Sequence, residues 1–511
     1  MADSKTILDL LDAGEGEAVA LAAPGRAPLT YKALQKLAGR TVDALNDFGI
    51  GRNDRVAIVL PNGPEMAAAF VSIATGATTA PLNPAYRADE LEFYITDLRA
   101  KAVVVPEGED VAAVAVAEKL GIPLLRLAAD ESAGAGSFTL LAEGGRARTE
   151  KAASKGYAGS ADIALVLHTS GTTSRPKIVP LSHANVCASA AHIDATLKLT
   201  HEDRCLNIMP LFHIHGLIAA VLSSFAAGGS VFCTPGFNAL HFFRWLDEAE
   251  PSWYTAVPTM HQAILARGDR NKESVAKAKL RFIRSSSASL PPPVMRELEA
   301  LFGCPVVESY GMTEASHQMT SNPLPPRARK AGTVGIAAGP EVRIMDEKGL
   351  FVPSGARGEV VIKGPNVTKG YENNPDANEG AFVDGWFRTG DQGVFDEEGY
   401  LTITGRLKEI INRGGEKISP REVDDVLCEH PAVEQVVTFA LPHKMLGEDV
   451  GAAVVLREGQ ALTEQELRDW AAERLADFKV PRSVVFLDEI PKGATGKLQR
   501  IGLAEKLGLV K

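Results

Sequence analysis

Ile163-Ala-Leu-Val-Leu-His-Thr-Ser-Gly-Thr-Thr-Ser-Arg-Pro-Lys177 joins two kinds of sequence. Ile163–Leu167 is a short apolar run of the kind that forms a buried strand. His168–Lys177 is rich in hydroxyls and holds one glycine and one lysine. Hydroxyls and exposed backbone N–H groups donate to phosphate oxygens, a glycine permits close backbone approach, and a lysine adds compact charge. Taken alone, the segment fits either a phosphate cradle or a Ser/Thr-rich surface loop. It is not a Walker A loop, because GxxxxGK[ST] is absent.

The strand-then-loop pattern recurs. Arg55–Leu60, Ala102–Pro106, Ser230–Cys233, Trp253–Val257 and Arg281–Arg284 are short apolar runs, and Pro64–Thr78 has helical spacing. Short buried strands between helices imply an α/β protein with mostly parallel sheets covered on both faces. Beyond about residue 330, Val342–Asp346, Glu359–Lys363 and Tyr400–Thr404 are spaced by Gly and Asp turns, which implies an antiparallel or barrel-like subdomain. After Lys408 comes a compact α+β segment. Ser419-Pro-Arg-Glu422 and Thr463-Glu-Gln-Glu466 have capping-box form and open helices expected over Arg421–Glu429 and Leu467–Ala476. The expected division is 1–407 and 408–511.

The bulk properties narrow the function. A chain of 511 residues exceeds one ordinary core, and 45% hydrophobic with 23% charged residues is a globular composition. A net charge of −10 argues against nucleic acid as the main partner. The five cysteines, Cys187, Cys205, Cys233, Cys304 and Cys428, form no CxxC pair and read as free thiols rather than a metal cluster. Met1–Gly14 is too polar for a signal peptide, and Leu217–Ala227 falls short of the ~20 apolar residues of a membrane span. The C-terminal Leu-Val-Lys is no peroxisomal signal. A cytosolic protein with no membrane and no obligate protein partner is the expectation.

Thr169-Ser-Gly-Thr-Thr-Ser-Arg-Pro-Lys177 resembles the phosphate-loop signature of the adenylate-forming superfamily, which holds acyl-CoA synthetases, adenylation domains and firefly luciferase. The family usually has Gly where this chain has Ser174, and often where it has Ile178. The resemblance implies that Thr169, Ser170, Gly171, Thr172, Thr173, Ser174 and Lys177 hold the phosphates of ATP. Further motifs follow in the family's order. Ser309-Tyr-Gly-Met-Thr-Glu314 offers a ring for adenine, a hydroxyl for the α-phosphate and a carboxylate for Mg²⁺, though by itself it fits a turn with a core tyrosine. By resemblance Tyr310 stacks, Thr313 acts on the α-phosphate and Glu314 holds Mg²⁺, with Ser287, Ala288, Glu308, Ser309 and Gly311 completing the nucleotide set. In Asp384-Gly-Trp-Phe-Arg-Thr-Gly-Asp391 the last carboxylate is implied to accept from the ribose diol, and in Gly405-Arg-Leu-Lys408 Arg406 adds a ribose or phosphate contact. Lys408 falls at the family's hinge, Gly414 and Gly415 at its thiol-facing loop, and Lys497 at its catalytic lysine. Singly, each also fits an acidic turn, a linker lysine, a glycine turn or a solvated terminal lysine.

The acid is read from fewer residues. Pro210-Leu-Phe-His-Ile-His-Gly216 falls in the family's acyl-pocket region, where an apolar tunnel would suit fatty acids. Here the pocket segments carry His213, His215, Arg284, Ser285, Ser286, Ser287, Ser289 and His317, which suit a small polar acid whose second carboxylate needs donors. Leu167–Lys177, Tyr254–Thr259, Arg281–Ser285, Ser287–Leu290 and Met312–His317 together resemble the oxalate–CoA ligase branch of plants and fungi, where serine at 174 is usual. The resemblance implies His213, Ser287, Ser289 and His317 as holders of oxalate, His213 also acting in catalysis, and ATP, Mg²⁺ and coenzyme A as cofactors. Malonate, glycolate or a short-chain fatty acid as the acid, a carrier protein in place of CoA, and a non-enzymatic nucleotide-binding module stay open.

Overall fold

The apolar runs become the centres of two sheets in the computed structural model, which describes residues 4–143, 151–169, 176–491 and 499–510. Ala102–Pro106 and Ser230–Cys233 are strands end to end, Ile163 begins a strand reaching His168, and the Arg281 run moves one residue to Phe282–Ser285. One sheet has seven strands, in the order 138–142, 124–129, 102–106, 55–58, 78–81, 163–168, 178–182. The other has nine, in the order 336–337, 317–321, 306–312, 282–285, 253–256, 204–207, 230–233, 19–22, 29–30. The six strands from 306–312 to 19–22 are parallel.

Both sheets are covered twice. Successive residues of Arg55–Ile58 point opposite ways: Val56 and Ile58 into the core between the sheets, Ala57 into an outer core under the helices Ala88–Asp97 and Ala112–Leu120. On the nine-stranded sheet, Leu206, Tyr254 and Ile283 meet the outer helices Phe242–Ala249, Pro258–Gly268 and Pro292–Phe302. The middle layer contains Pro64–Ala74, in which every residue but Glu65 is buried. It touches strands of both sheets, and Ala67, Ala68 and Ala69 keep it slim enough to fit. Its helical spacing over Pro64–Thr78 overshoots, because Thr78 already begins the next strand. The apolar stretch at 217–227 belongs to this layer as well: His215–Leu222 is a π-helix, buried throughout, that runs into Ser223–Ala226. Among the described residues no helix is long and apolar enough to cross a membrane.

A five-stranded antiparallel sheet follows, built from Glu341–Met345, Gly358–Lys363, Phe382–Val383, Trp386–Phe395 and Leu401–Arg406. The smaller C-terminal domain pairs Ile411–Arg413, Glu416–Ile418, Val433–His443, Gly447–Leu456 and Ser483–Phe486 around its own core of Ile418, Val423, Leu427, Val450 and Leu467. Its helices start earlier than their apolar spacing predicts, at Pro420–Cys428 and Glu464–Ala472, because the polar first turn is helical too. Thr463 and Glu466 form the full capping box. At Ser419 only half forms: its hydroxyl accepts from the Glu422 N–H, while the Glu422 carboxylate pairs with Lys479 at 2.5 Å.

Candidate functional site

The strands ending at Asn207, Ala256, Ser285 and Met312 all present their carboxyl ends at one edge of the nine-stranded sheet, the edge where open parallel sheets bind ligands. The segments leaving that edge line a cleft of about 560 Å³, with Phe212, His213, Ser287, Ser289 and Tyr310 on one wall. Arg421 and Asp424 of the C-terminal domain, with Gln499 and Arg500, form the other wall.

One end of the cleft is polar and carries charges of both signs. Asp391 and Arg406 are directly opposite in the ladder between Trp386–Phe395 and Leu401–Arg406, which places Arg406 Nε 3.2 Å from the carboxylate. The Tyr310 hydroxyl donates to the other carboxylate oxygen. Burial, then the adjacent Asp391 charge, raises the Tyr310 pKa far above its usual value, so the phenol stays protonated. Lys177 Nζ lies 4.4 Å from the Tyr371 ring centroid, and the Tyr371 hydroxyl donates to Glu314 at 2.7 Å. Two bonds pinch the phosphate-loop segment at its base: Thr169 N–H to the Lys177 carbonyl, 2.9 Å, and Lys177 N–H to Thr169 Oγ1, 3.2 Å. Ser170, Gly171, Thr172, Thr173, Ser174 and Lys497 lie outside the described residues.

Among the described residues no cluster of three or more His, Cys, Asp or Glu forms a cation cage. Glu314 brings a single buried carboxylate. That donor set fits Mg²⁺ arriving on a triphosphate, since Mg²⁺ takes one or two carboxylates beside phosphate oxygens.

The other end holds the histidines and serines. His213 lines the cleft, and its Nδ1 accepts from the His215 N–H at 3.4 Å. Ser287 has φ +72°, a left-handed conformation that costs a non-glycine residue about 1–2 kcal/mol. Its Oγ is 3.0 Å from His215 Nδ1. His317 is buried behind the cleft, its ring edge-on to His215 at 4.9 Å. Gly311 makes room for it, because a Cβ there would lie 1.7 Å from the His317 carbonyl oxygen. Glu308 is buried below, accepting from the Leu290 N–H at 3.0 Å, and burial pushes its pKa up to about 7.

The other expected residues are placed as follows. The segment at Ser309 is a strand end, as the apolar run before it suggests, and not the alternative turn: Ser309–Met312 closes the strand Val306–Met312 and pairs with His317–Ser321. Thr313 begins a short 3₁₀ turn beside Glu314, and Ala288 stands exposed at the cleft rim. Lys408 is exposed. Gly414 and Gly415 are not on the cleft wall: they are the two-residue link of the hairpin Ile411–Ile418, with φ +62° and +100°, the conformation such links reserve for glycine. Two contributors were not singled out in the sequence: Tyr371 between Lys177 and Glu314, and Arg500, which joins Asp424 at 2.5 Å to Glu409 at 3.5 Å; His215 and Arg284, both expected among the pocket residues, form a buried pair.

The sequence matches the model of the AMP-binding enzyme family over residues 12–372 and that of the AMP-binding enzyme C-terminal domain over 422–497. The chain belongs to the AMP-binding enzyme family. Within it, the oxalate–CoA ligase of Arabidopsis thaliana is 45% identical over 94% of this chain and 94% of its own length. That of Saccharomyces cerevisiae is 44% identical over 89% of this chain and 87% of its own. The crystal structure of ATP-bound MatB from Rhodopseudomonas palustris superposes with a TM-score of 0.87 at 31% identity, covering 98% of each chain. The cleft described above therefore belongs to a fold that holds ATP in that protein.

Proposed function

We propose that this enzyme is an AMP-forming acid–CoA ligase that converts oxalate, ATP and coenzyme A to oxalyl-CoA, AMP and pyrophosphate. The observation that carries the reading is one cleft with two differently equipped ends. Asp391, Arg406 and Tyr310 stand at one end, while His213 and Ser287 stand at the other with His317 behind them. A ribose diol needs two acceptors at once, which the Asp391 carboxylate supplies. An acid with a carboxylate at each end needs donors where a fatty-acid enzyme needs apolar walls. His213, Ser287 and Ser289, which line the cleft, fill that requirement with His317 supporting them from behind, and the two oxalate–CoA ligase relatives point to the same acid.

In the first half-reaction a carboxylate oxygen of the acid attacks the α-phosphorus of ATP, and the bond to pyrophosphate breaks. Two anions must approach closely, so the residues required are cationic or hydrogen-bond donors. Lys177, Thr313, the phosphate-loop hydroxyls and Lys497 are assigned that work. Tyr310, Gly311, Ser309, Glu308 and Ala288 frame the base, and Glu314 would hold Mg²⁺, which neutralises phosphate charge when bound. In the second half-reaction the thiol of CoA attacks the adenylate carbonyl, AMP leaves, and the thiol proton is released. The domain boundary is placed at Lys408, about which the C-terminal domain rotates to exchange Lys497 for the Gly414–Gly415 turn. The free cysteines fit a reducing, cytosolic setting.

The direct test is oxalate-dependent exchange of labelled pyrophosphate into ATP without CoA. Exchange with oxalate that a monocarboxylate does not match supports the reading. Exchange driven best by octanoate or coumarate would overturn the choice of acid.

A further inference from the structure

Arg284 is fully buried in the middle of the nine-stranded sheet, yet among the described residues no carboxylate lies within ion-pair reach of it. Its neighbours are neutral and distant: Thr255 Oγ1 at 3.4 Å, His215 Nε2 at 3.4 Å and Gln318 Oε1 at 3.3 Å, with Nε lacking a partner. A buried charge left this poorly compensated destabilises a fold. Burial lowers its pKa only to about 9, so it remains a cation at neutral pH. Such a group makes sense where an anion comes to rest nearby.

The path to that anion is His215. A guanidinium offers donors and no acceptor, so His215 Nε2, facing Arg284 and 2.6 Å from Thr255 Oγ1, is the acceptor side of the ring. The proton is then on Nδ1, which donates to Ser287 Oγ at 3.0 Å. Accepting that bond leaves the Ser287 hydroxyl its own proton to donate to a ligand in the cleft, which Ser287 lines.

We propose that Arg284 and His215 are positioning residues for acid selection. They fix Ser287 as a hydrogen-bond donor and place an uncompensated buried positive charge behind it, which favours an acid bearing a second carboxylate over one that does not. Arg284 acts through His215 and touches no substrate. This inference rests on the reading of the site as an acid–CoA ligase with a dianionic acid.

The test compares kcat/KM for oxalate and for glycolate, a monoanion of similar size, in the wild type, Arg284→Met, Arg284→Lys and His215→Phe. Oxalate binding is measured in parallel by equilibrium dialysis with a non-hydrolysable ATP analogue. The oxalate-to-glycolate ratio is expected to fall about 30-fold in Arg284→Met and His215→Phe, the size expected from losing one charge-assisted hydrogen bond. The fall should lie in KM and dialysis affinity rather than kcat, with the KM for ATP changed less than about threefold. Arg284→Lys keeps the charge and is expected to retain part of the ratio. If Arg284→Met fails to fold, Arg284→Lys and His215→Phe carry the test. A structural role alone lowers turnover of both acids equally and leaves the ratio unchanged, and that outcome overturns the inference while leaving the ligase reading intact. A wild type with no preference for oxalate overturns the choice of acid, and this inference with it.

Discussion

Replacing Glu308 by glutamine should make the protein more stable at pH 8 and leave it unchanged near pH 4.5. The carboxyl is buried, and burial raises its pKa from 4.5 to about 7 despite the opposing charge of Arg421. A raised pKa means that the folded state holds the proton more tightly than the unfolded chain. The stabilising contribution is therefore complete below about pH 4.5 and is lost as pH rises to about 7, where it levels off. A displacement of that size corresponds to on the order of 3 kcal/mol. Glutamine is isosteric, keeps the oxygen that accepts from the Leu290 N–H, and never ionises. For a domain of about 400 residues with an unfolding entropy near 2.1 cal/mol/K per residue, 3 kcal/mol corresponds to about 4 °C in Tm. The assay is a thermal melt of full-length wild type and Glu308→Gln, without nucleotide, at pH 5, 6, 7 and 8. The difference should grow from near zero to about 4 °C and then stop growing. A difference that is the same at every pH, or a variant less stable at pH 8, would refute the assignment of Glu308 as a buried acid held by desolvation.

Asp391→Asn should raise the KM for ATP by about 10- to 100-fold, because an amide cannot accept from a diol as a carboxylate does. Its KM for the acid should stay within about threefold, and steady-state kinetics with each substrate varied separates the two. Gly311→Ala places a methyl 1.7 Å from the His317 carbonyl oxygen, so the strand must shift. That variant should lose at least about 100-fold in oxalate turnover, with a lower Tm, and retention of half the activity would show that the close approach is unimportant. Lys497→Ala should lose adenylate formation by more than about 100-fold while still making thioester from preformed oxalyl-adenylate and CoA. Equal loss in both half-reactions would refute the proposed rotation about Lys408.

Much of this architecture could be read from local pattern because the signals were local. Ala102–Pro106 and Ser230–Cys233 are apolar on both faces, and only a strand between two helical layers needs that. The closure of the phosphate-loop segment also follows from its flanks, where His168 pairs with Ile178 in one ladder. What stayed hidden depends on contacts far apart in sequence. Tyr371 meets Glu314 across 57 positions and His215 meets Ser287 across 72, with no periodicity to announce either. The helix starts at Pro420 and Glu464 were placed late because a polar first turn carries no hydrophobic rhythm. The twin glycines at 414 and 415 satisfy a hairpin link as fully as they would a thiol passage, so their type alone could not choose.

One cleft couples ATP to a small dianionic acid and then to a thiol. The most direct test of that coupling is AMP release from ATP, with and without CoA, across oxalate, malonate, glycolate, acetate, octanoate and coumarate, with the thioester identified by mass. AMP formation should be strongest with oxalate, dependent on CoA for sustained turnover, and matched by oxalyl-CoA one for one. Strongest turnover with octanoate or coumarate, or sustained AMP release that yields no thioester, would contradict it.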